Sequence, residues 1–234
     1  MMTDRTGNRP SSRVILVPLM DSYVGIEEGL ESLQLLSAVP ATTLVVWSTE
    51  ATLPADLRER FAQAIGGCCF VGALPSRAEA LMQYQGVYVP IVTTGTAYAL
   101  SEGDDREPVI RTLLIAALLG LPIAVLGCGW DPESDAWTRA GLGRASSIWP
   151  DAWRARSQYV RRLGVSVLRR PGQVSNWAKT DLDGPRVLDV EMVESRRQLG
   201  MQDVPVGPRT VVTPGAHDRM RQYGMTLRLS GEKS

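Results

Sequence analysis

The sequence predicts an α/β fold: a doubly wound parallel sheet with helices on both faces and a small C-terminal β-rich appendage. Three observations carry this. Short apolar runs bounded by Pro or Gly alternate with helical patterns five times between residues 13 and 126. Such alternation implies a parallel sheet covered on both sides. The texture changes after Pro171-Gly172, where short β-like runs are separated by Gly and Pro. The length of 234 residues suits one ordinary domain with a tail. The expected organisation is an arm over 1–12, an α/β domain over 13–170 and an appendage over 171–234.

Taken in order, Arg13–Pro18 (RVILVP) reads as a buried strand. Gly25–Leu36 places Ile26, Leu30, Leu33 and Leu36 on one helical face, with Glu27, Glu28 and Glu31 on the other. Thr42–Trp47 is a second strand. Ala55–Ile65 is a helix that stops at Gly66-Gly67. Cys69–Val71 is a short strand, Arg77–Tyr84 a helical stretch and Gln85–Val92 a further strand. Pro108–Leu119 is an apolar helix with Pro in its first turn, and Ile123–Leu126 is the fifth strand. Residues 151–164 make another helix before Val165–Leu168. In the tail, Arg186–Val190, Thr210–Thr213 and Thr226–Leu229 are β-like.

Composition narrows the function. Hydrophobic residues make 44% and charged residues 21%, the balance of a soluble globular chain. Lys+Arg and Asp+Glu cancel at 25 each, so there is no field to gather phosphates along a nucleic acid. One histidine excludes multi-His metal chemistry. Three cysteines do not make a disulfide framework. The polar start carries no secretory signal, and Leu113–Leu126 is too short and interrupted to span a bilayer. A cytoplasmic setting with no membrane partner is expected.

Parallel sheets of this kind bind ligands outside the carboxyl ends of their strands. After the first strand, Ser22 suits either an anion contact or, with Asp21, a helix cap. After the second, Ser48 and Thr49 leave a buried strand with two hydroxyls that suit a phosphate. After the fourth, Thr93, Thr94, Gly95 and Thr96 bring hydroxyls and bare backbone to the edge. Asp104-Asp105 follows, with a role at a helix N-terminus as its plainer reading. After the fifth, Cys128 sits between glycines without a nearby His, as a buried thiol would. His217 beside Asp218 is explained by Thr213 as a cap and Pro214 at the first helical position. No GxGxxG or Walker pattern is present, which disfavours NAD and nucleoside triphosphates.

These loops together carry a resemblance. The stretch YVPIVTTGTAYALSEGDDREPVIRTLLIAALLGLPIAVLGCGWDP resembles the flavoprotein family of homo-oligomeric flavin-containing cysteine decarboxylases, which includes phosphopantothenoylcysteine decarboxylase. It is most similar to a flavoprotein subgroup associated with bacterial microcompartment gene clusters. Pro90 through Thr96, Asp105, the helix 108–119, Gly120-Leu121-Pro122 and Asp131-Pro132 follow that subgroup's order. The openings GIEEGLESLQLL and VVWSTEA and the tail TPGAHDRMRQYGMTLRL fit it too. The resemblance spans about residues 13–229. It implies a flavodoxin/Rossmann-like sheet, FMN at a subunit interface and a homotrimer as the repeating unit. It places the FMN phosphate on Ser48 or Thr49, the ring side on Thr93–Thr96, and a ribityl or ring contact on Asp105.

The departures shape the expected function. The family's decarboxylases carry a His after the third strand, and none stands there. The family Asn that positions a substrate carboxylate is replaced by Gly95. The Pro-x-Met-Asn substrate loop is replaced by GCGWDPESDAW, and the arginine of the tail motif by His217. Placement and proton transfer supply much of a barrier reduction, so cysteine decarboxylation is not expected. The leading reading is an FMN-binding flavoprotein with a redox or flavin-carrying role. The alternative is a degenerate flavoprotein-fold structural subunit without flavin, motivated by Gly95, a glycine-poor first loop, and Trp130, Trp137, Trp149 and Trp153 lying close in sequence. A third reading is a transferase or lyase using Cys128.

Overall fold

Every apolar run that begins the chain's strand–helix units lands in one sheet. The structure, a computed structural model, describes residues 13–48, 53–66, 69–131, 133–142, 148–182, 187–198, 200–206 and 210–229. The expected arm over 1–12 lies outside them. The first half runs β1 (Arg13–Pro18), α1 (Ile26–Ser37), β2 (Thr42–Trp47), α2 (Ala55–Ala64), β3 (Cys69–Val71), α3 (Ala78–Leu81), β4 (Gly86–Val89), α4 (Thr94–Glu102), α5 (Pro108–Leu118) and β5 (Ile123–Leu126). A single 3-10 turn over Gly127–Gly129 follows, then α6 (Asp135–Arg139), α7 (Ile148–Arg162), β6 (Val165–Leu168) and α8 (Gln173–Thr180). The tail adds β7 (Val187–Leu188), α9 (Val190–Gln198), β8 (Asp203–Val206), β9 (Val211–Val212), α10 (Pro214–Tyr223) and β10 (Thr226–Leu229).

Strands one to six form a parallel sheet in the order β3-β2-β1-β4-β5-β6. This is the doubly wound Rossmann order, whose direction reverses between β1 and β4. Alternation along each strand feeds two cores, because successive side chains point to opposite faces. Ile15, Val17, Tyr88, Ala124 and Leu126 join one cluster, against Leu30 and Leu33 of α1, Phe61 of α2 and Trp177 of α8. Leu16, Val87, Val89, Ile123 and Val125 join the other, against Leu100 of α4, Leu113 of α5 and Trp153 and Val160 of α7.

One polar chain is sealed inside the first core. The Tyr88 hydroxyl donates to Ser32 Oγ at 2.7 Å, and Ser32 donates to the Gly29 carbonyl at 2.7 Å. Burial pushes the Tyr88 hydroxyl far above its ordinary range, so it stays neutral. Gly29 is required here: a β-carbon would come within 2.8 Å of Ile91 Cγ1 and 3.1 Å of the Pro90 carbonyl.

The tail contains two parallel strand pairs, β10 with β8 and β7 with β9, and two helices, of which α10 is the one that Thr213-Pro214 predicts. Its own small core gathers Leu188, Val193, Val204, Ala216 and Met220. Packing groups α8 with the main sheet, through Val174 and Trp177, so this separate core starts at Leu188. Arg196 Nη2 joins the tail to the main layer by donating to the Leu119 carbonyl at 3.3 Å. Thr213 caps α10 as expected, accepting from the Ala216 amide at 3.3 Å with Pro214 at the first position.

Tyr88→Phe removes one buried donor and leaves Ser32 bonded to Gly29. We expect a loss of about 1 kcal/mol, read as a lower urea midpoint with unchanged slope. An unchanged midpoint would show that the Tyr88–Ser32 bond contributes nothing net.

Candidate functional site

The carboxyl edge of the sheet is where a ligand is expected, and three of its loops are pressed together. A β-carbon on Gly129 would lie 2.3 Å from the Val92 carbonyl and 3.1 Å from the Val24 carbonyl. The 3-10 turn after β5 therefore packs backbone to backbone against the loops after β4 and β1. Gly25 is the N-cap of α1, in the left-handed region at φ 88°, with no side-chain cap bond. A β-carbon on Gly25 would meet the Gly129 amide nitrogen at 3.3 Å and Cys128 Sγ at 3.4 Å. The start of α1 is the usual phosphate seat of a dinucleotide fold. Here the chain's own turn covers it.

The residues singled out from sequence fall at different points around this closed centre. Ser22 does not cap α1. Its hydroxyl donates to the Val24 carbonyl at 2.9 Å and accepts from the Val24 amide at 3.2 Å, a local hydroxyl turn. The segment Thr93–Asp105, expected as a loop, is helical from Thr94 to Glu102. Thr93 accepts from the Thr96 amide at 3.0 Å, the two hydroxyls lie 3.0 Å apart, and Gly103 closes the helix at φ 69°. A reciprocal Thr-x-x-Thr cap thus replaces the usual Glu or Gln partner. Thr94 and Gly95 form the first turn of α4, whose amides carry no intrahelical bond. A β-carbon at Gly95 would meet only Thr93 Oγ1, at 3.5 Å, so this turn is open.

Ser48 follows β2 directly, beside the point where the Leu19 amide donates to the Trp47 carbonyl at 2.8 Å. Its Oγ is buried and has no hydrogen-bond partner among the described residues. Thr49 lies outside the described residues. Asp105 is exposed and sits 3.7 Å from Arg111 Nε of α5. Its neighbour Asp104 is held down to about 2 by the hydrogen-bonding Arg106 guanidinium. His217 and Asp218 are exposed on α10.

A cleft of about 850 Å³ opens farther along the same edge, over the ends of β5 and β6. Gly127, Cys128, Trp130, Trp153 of α7 and Arg169-Arg170 contribute to its lining. None of the seven described residues selected from sequence lines it. Trp130 and Trp153 are buried within the chain's own packing, which removes them from any exposed aromatic interface. The side chain of Trp149 lies outside the described residues. Gly127 makes room for Trp130: a β-carbon there would approach the indole Nε1 to 2.7 Å. The sequence signal for this cleft was the Arg169-Arg170 pair directly after a strand, at the same edge as the inspected loops.

Cys128 is buried, and burial raises its thiol to about 11. It is a poor nucleophile at neutral pH. Among the described residues no group of three or more His, Cys, Asp or Glu could hold a metal, and no helix is long and apolar enough to cross a membrane.

No protein-family model matches the chain, and neither does any curated protein. Solved structures do overlap with it. A dodecameric FMN-dependent UbiX-like decarboxylase from Escherichia coli O157:H7 is 13% identical, with 80% of this chain and 94% of that one covered and a TM-score of 0.45. A phenylacrylic acid decarboxylase from Aquifex aeolicus is 14% identical, with 73% and 96% covered and a TM-score of 0.46. AnUbiX (PadA1), in complex with FMN and dimethylallyl pyrophosphate, is 15% identical, with 74% and 92% covered and a TM-score of 0.44. The fold assignment rests on this chain's own strand order.

Two outcomes follow from the closed centre. Gly129→Ala drives a methyl into the Val92 carbonyl and should cost about 1–3 kcal/mol, measured as a drop in thermal midpoint; an unaltered midpoint would mean the loops are free to part. For Cys128 the folded thiol, at about 11, lies above its unfolded value. The burial contribution is therefore complete below the unfolded pKa and is lost as pH rises through about 9 to about 11. Wild type should lose roughly 2–3 kcal/mol more than Cys128→Ala over that window, and iodoacetamide should leave Cys128 unmodified at pH 8 in the folded protein. Rapid alkylation at that pH would overturn the buried-thiol assignment.

Proposed function

We propose that this chain is an FMN-binding flavoprotein with a redox or flavin-carrying role and without cysteine decarboxylase activity. The observation that carries the reading is Ser48 Oγ, a buried hydroxyl with no partner among the described residues, at the carboxyl end of β2. A polar group sealed from water without a partner costs free energy. A phosphate oxygen at that edge would satisfy it. The open first turn of α4 supports the same reading, because Thr94 and Gly95 can offer amides to a flavin oxygen while Thr93 and Thr96 hold the turn rigid.

In this reading Ser48 and Thr49 hold the phosphate, the Thr93–Thr96 turn faces the ring, and Asp105 reaches the ribityl or ring side from a neighbouring subunit. Bound FMN supplies the electron-transfer chemistry itself. The chain's residues bind and orient it. Self-association into a homotrimer, or a multiple of it, is part of the proposal, since the candidate residues do not surround one cavity in a single chain. The gene-cluster association with microcompartments comes from the sequence resemblance. The absent family His and Asn are the reason for proposing no decarboxylation.

A second reading, a flavin-free structural subunit, is favoured by one feature. The Thr93 and Thr96 hydroxyls already satisfy each other, and Gly129 already fills the gap between the loops.

The visible spectrum after FMN addition and desalting separates the two. Flavin absorbance should be retained, and Ser48→Ala should weaken FMN binding by about tenfold or more while leaving the apoprotein equally or more stable. Asp105→Ala should weaken it too, with under about 0.5 kcal/mol lost in stability because its ion pair is exposed. A colourless wild-type protein would sink the flavin reading in favour of the structural one. Carbon dioxide release from a C-terminal-Cys peptide would refute the lack of decarboxylation.

A further inference from the structure

The cleft over β5 and β6 is unused by the flavin reading. Ser48 follows β2 directly, and β1 and β4 stand between β2 and β5. Three strand spacings put the two places about 14 Å apart. The cleft's volume, about 850 Å³, falls in the range of small-molecule sites, roughly 300–1,000 Å³.

The charges lining it divide into two groups. Arg139 is paired with Glu28, and Arg154 with Glu133 and Asp151. Arg161 of α7 and Arg169 and Arg170 after β6 also line the cleft, and none of the three has a carboxylate partner among the described residues. Trp130 and Trp153 are packed beneath them, 1% and 8% exposed. Across the cleft, Glu31 of α1, Asp131 after the 3-10 turn and Asp135 of α6 are acids without an arginine partner among the described residues. An anion is therefore drawn to the β6 wall and repelled from the other.

We infer that this cleft binds a small molecule by a phosphate group held between Arg161, Arg169 and Arg170. Guanidinium forks pair bidentately with phosphate. A phosphate monoester carries a charge of about −1.5 to −2 at neutral pH, against one for a carboxylate, so it matches three cations better. Binding also relieves the mutual repulsion of the adjacent Arg169 and Arg170.

The test is a titration of the full-length protein with inorganic phosphate at constant ionic strength, followed by tryptophan fluorescence and thermal midpoint. The expected result is a saturable change in both, with acetate at least about tenfold weaker. Arg161→Ala and the double change Arg169→Ala, Arg170→Ala should each weaken phosphate by about tenfold or more. Arg106→Ala, whose guanidinium is tied to Asp104 outside the cleft, should bind as wild type does. No saturable response, equal binding of acetate, or undiminished binding by the arginine variants would each overturn the inference. Ser48→Ala should keep its phosphate response and the double arginine variant its flavin. Either reading can thus fail while the other stands.

Discussion

The close approach of Gly129 to the Val92 carbonyl is the constraint on which the rest of the carboxyl edge depends. In a doubly wound sheet the loops after β1 and β4 diverge, and the gap between them is the natural ligand crevice. Here the turn after β5 folds back into that gap, and only a residue without a β-carbon could do so. Three consequences follow from one contact. The N-terminus of α1 is covered, the Cys128 thiol is carried inward, and Trp130 is set down beside Gly127. Each would change if the turn moved outward.

Because the centre is closed, binding chemistry is displaced to its flanks. On the β2 side the buried hydroxyl of Ser48 has no partner among the described residues. On the β6 side Arg161, Arg169 and Arg170 line a cleft and have no carboxylate partner among the described residues. Other hydroxyls at this edge are satisfied locally: Ser22 by Val24, and Thr93 and Thr96 by each other. Unsatisfied polar groups are informative because folded chains tolerate so few of them. A hydroxyl that is already bonded twice has little to gain from a ligand.

Much of this architecture was legible in the sequence. Buried parallel strands are read from apolar runs, and β1, β2, β3, β5 and β6 fall where RVILVP, TTLVVW, CFV, IAVL and VSVL stand. Amphipathic spacing found α1, and Pro108 marked the start of α5. What escaped has physical reasons. α4 is held by a Thr–Thr cap and carries small residues, so no apolar stripe announces it. α9 is polar nearly all round, with Glu191, Glu194, Arg196 and Arg197 beside its few apolar positions. The tail strands β7 and β9 are two residues long, below the reach of any periodicity. The Arg161, Arg169 and Arg170 cluster joins a helix to a strand end, which only the fold brings together. Ser48 and Thr49 were selected as a pair of hydroxyls, but burial alone distinguishes an unpaired hydroxyl from a solvated one.

The segment Gly127-Cys128-Gly129-Trp130 ties these strands of argument together. It follows β5 at the middle of the carboxyl edge and does several things at once. Gly129 closes the crevice, Gly127 seats the indole, Cys128 fills the core beside Gly25, and Trp130 floors a new cleft. These roles are coupled through four consecutive residues on a single turn of 3-10 helix and its cap. An outward movement of this turn would uncover α1 and shift Trp130 together. The edge is therefore organised as a unit: any ligand chemistry that this protein performs has to proceed with the middle of its sheet shut.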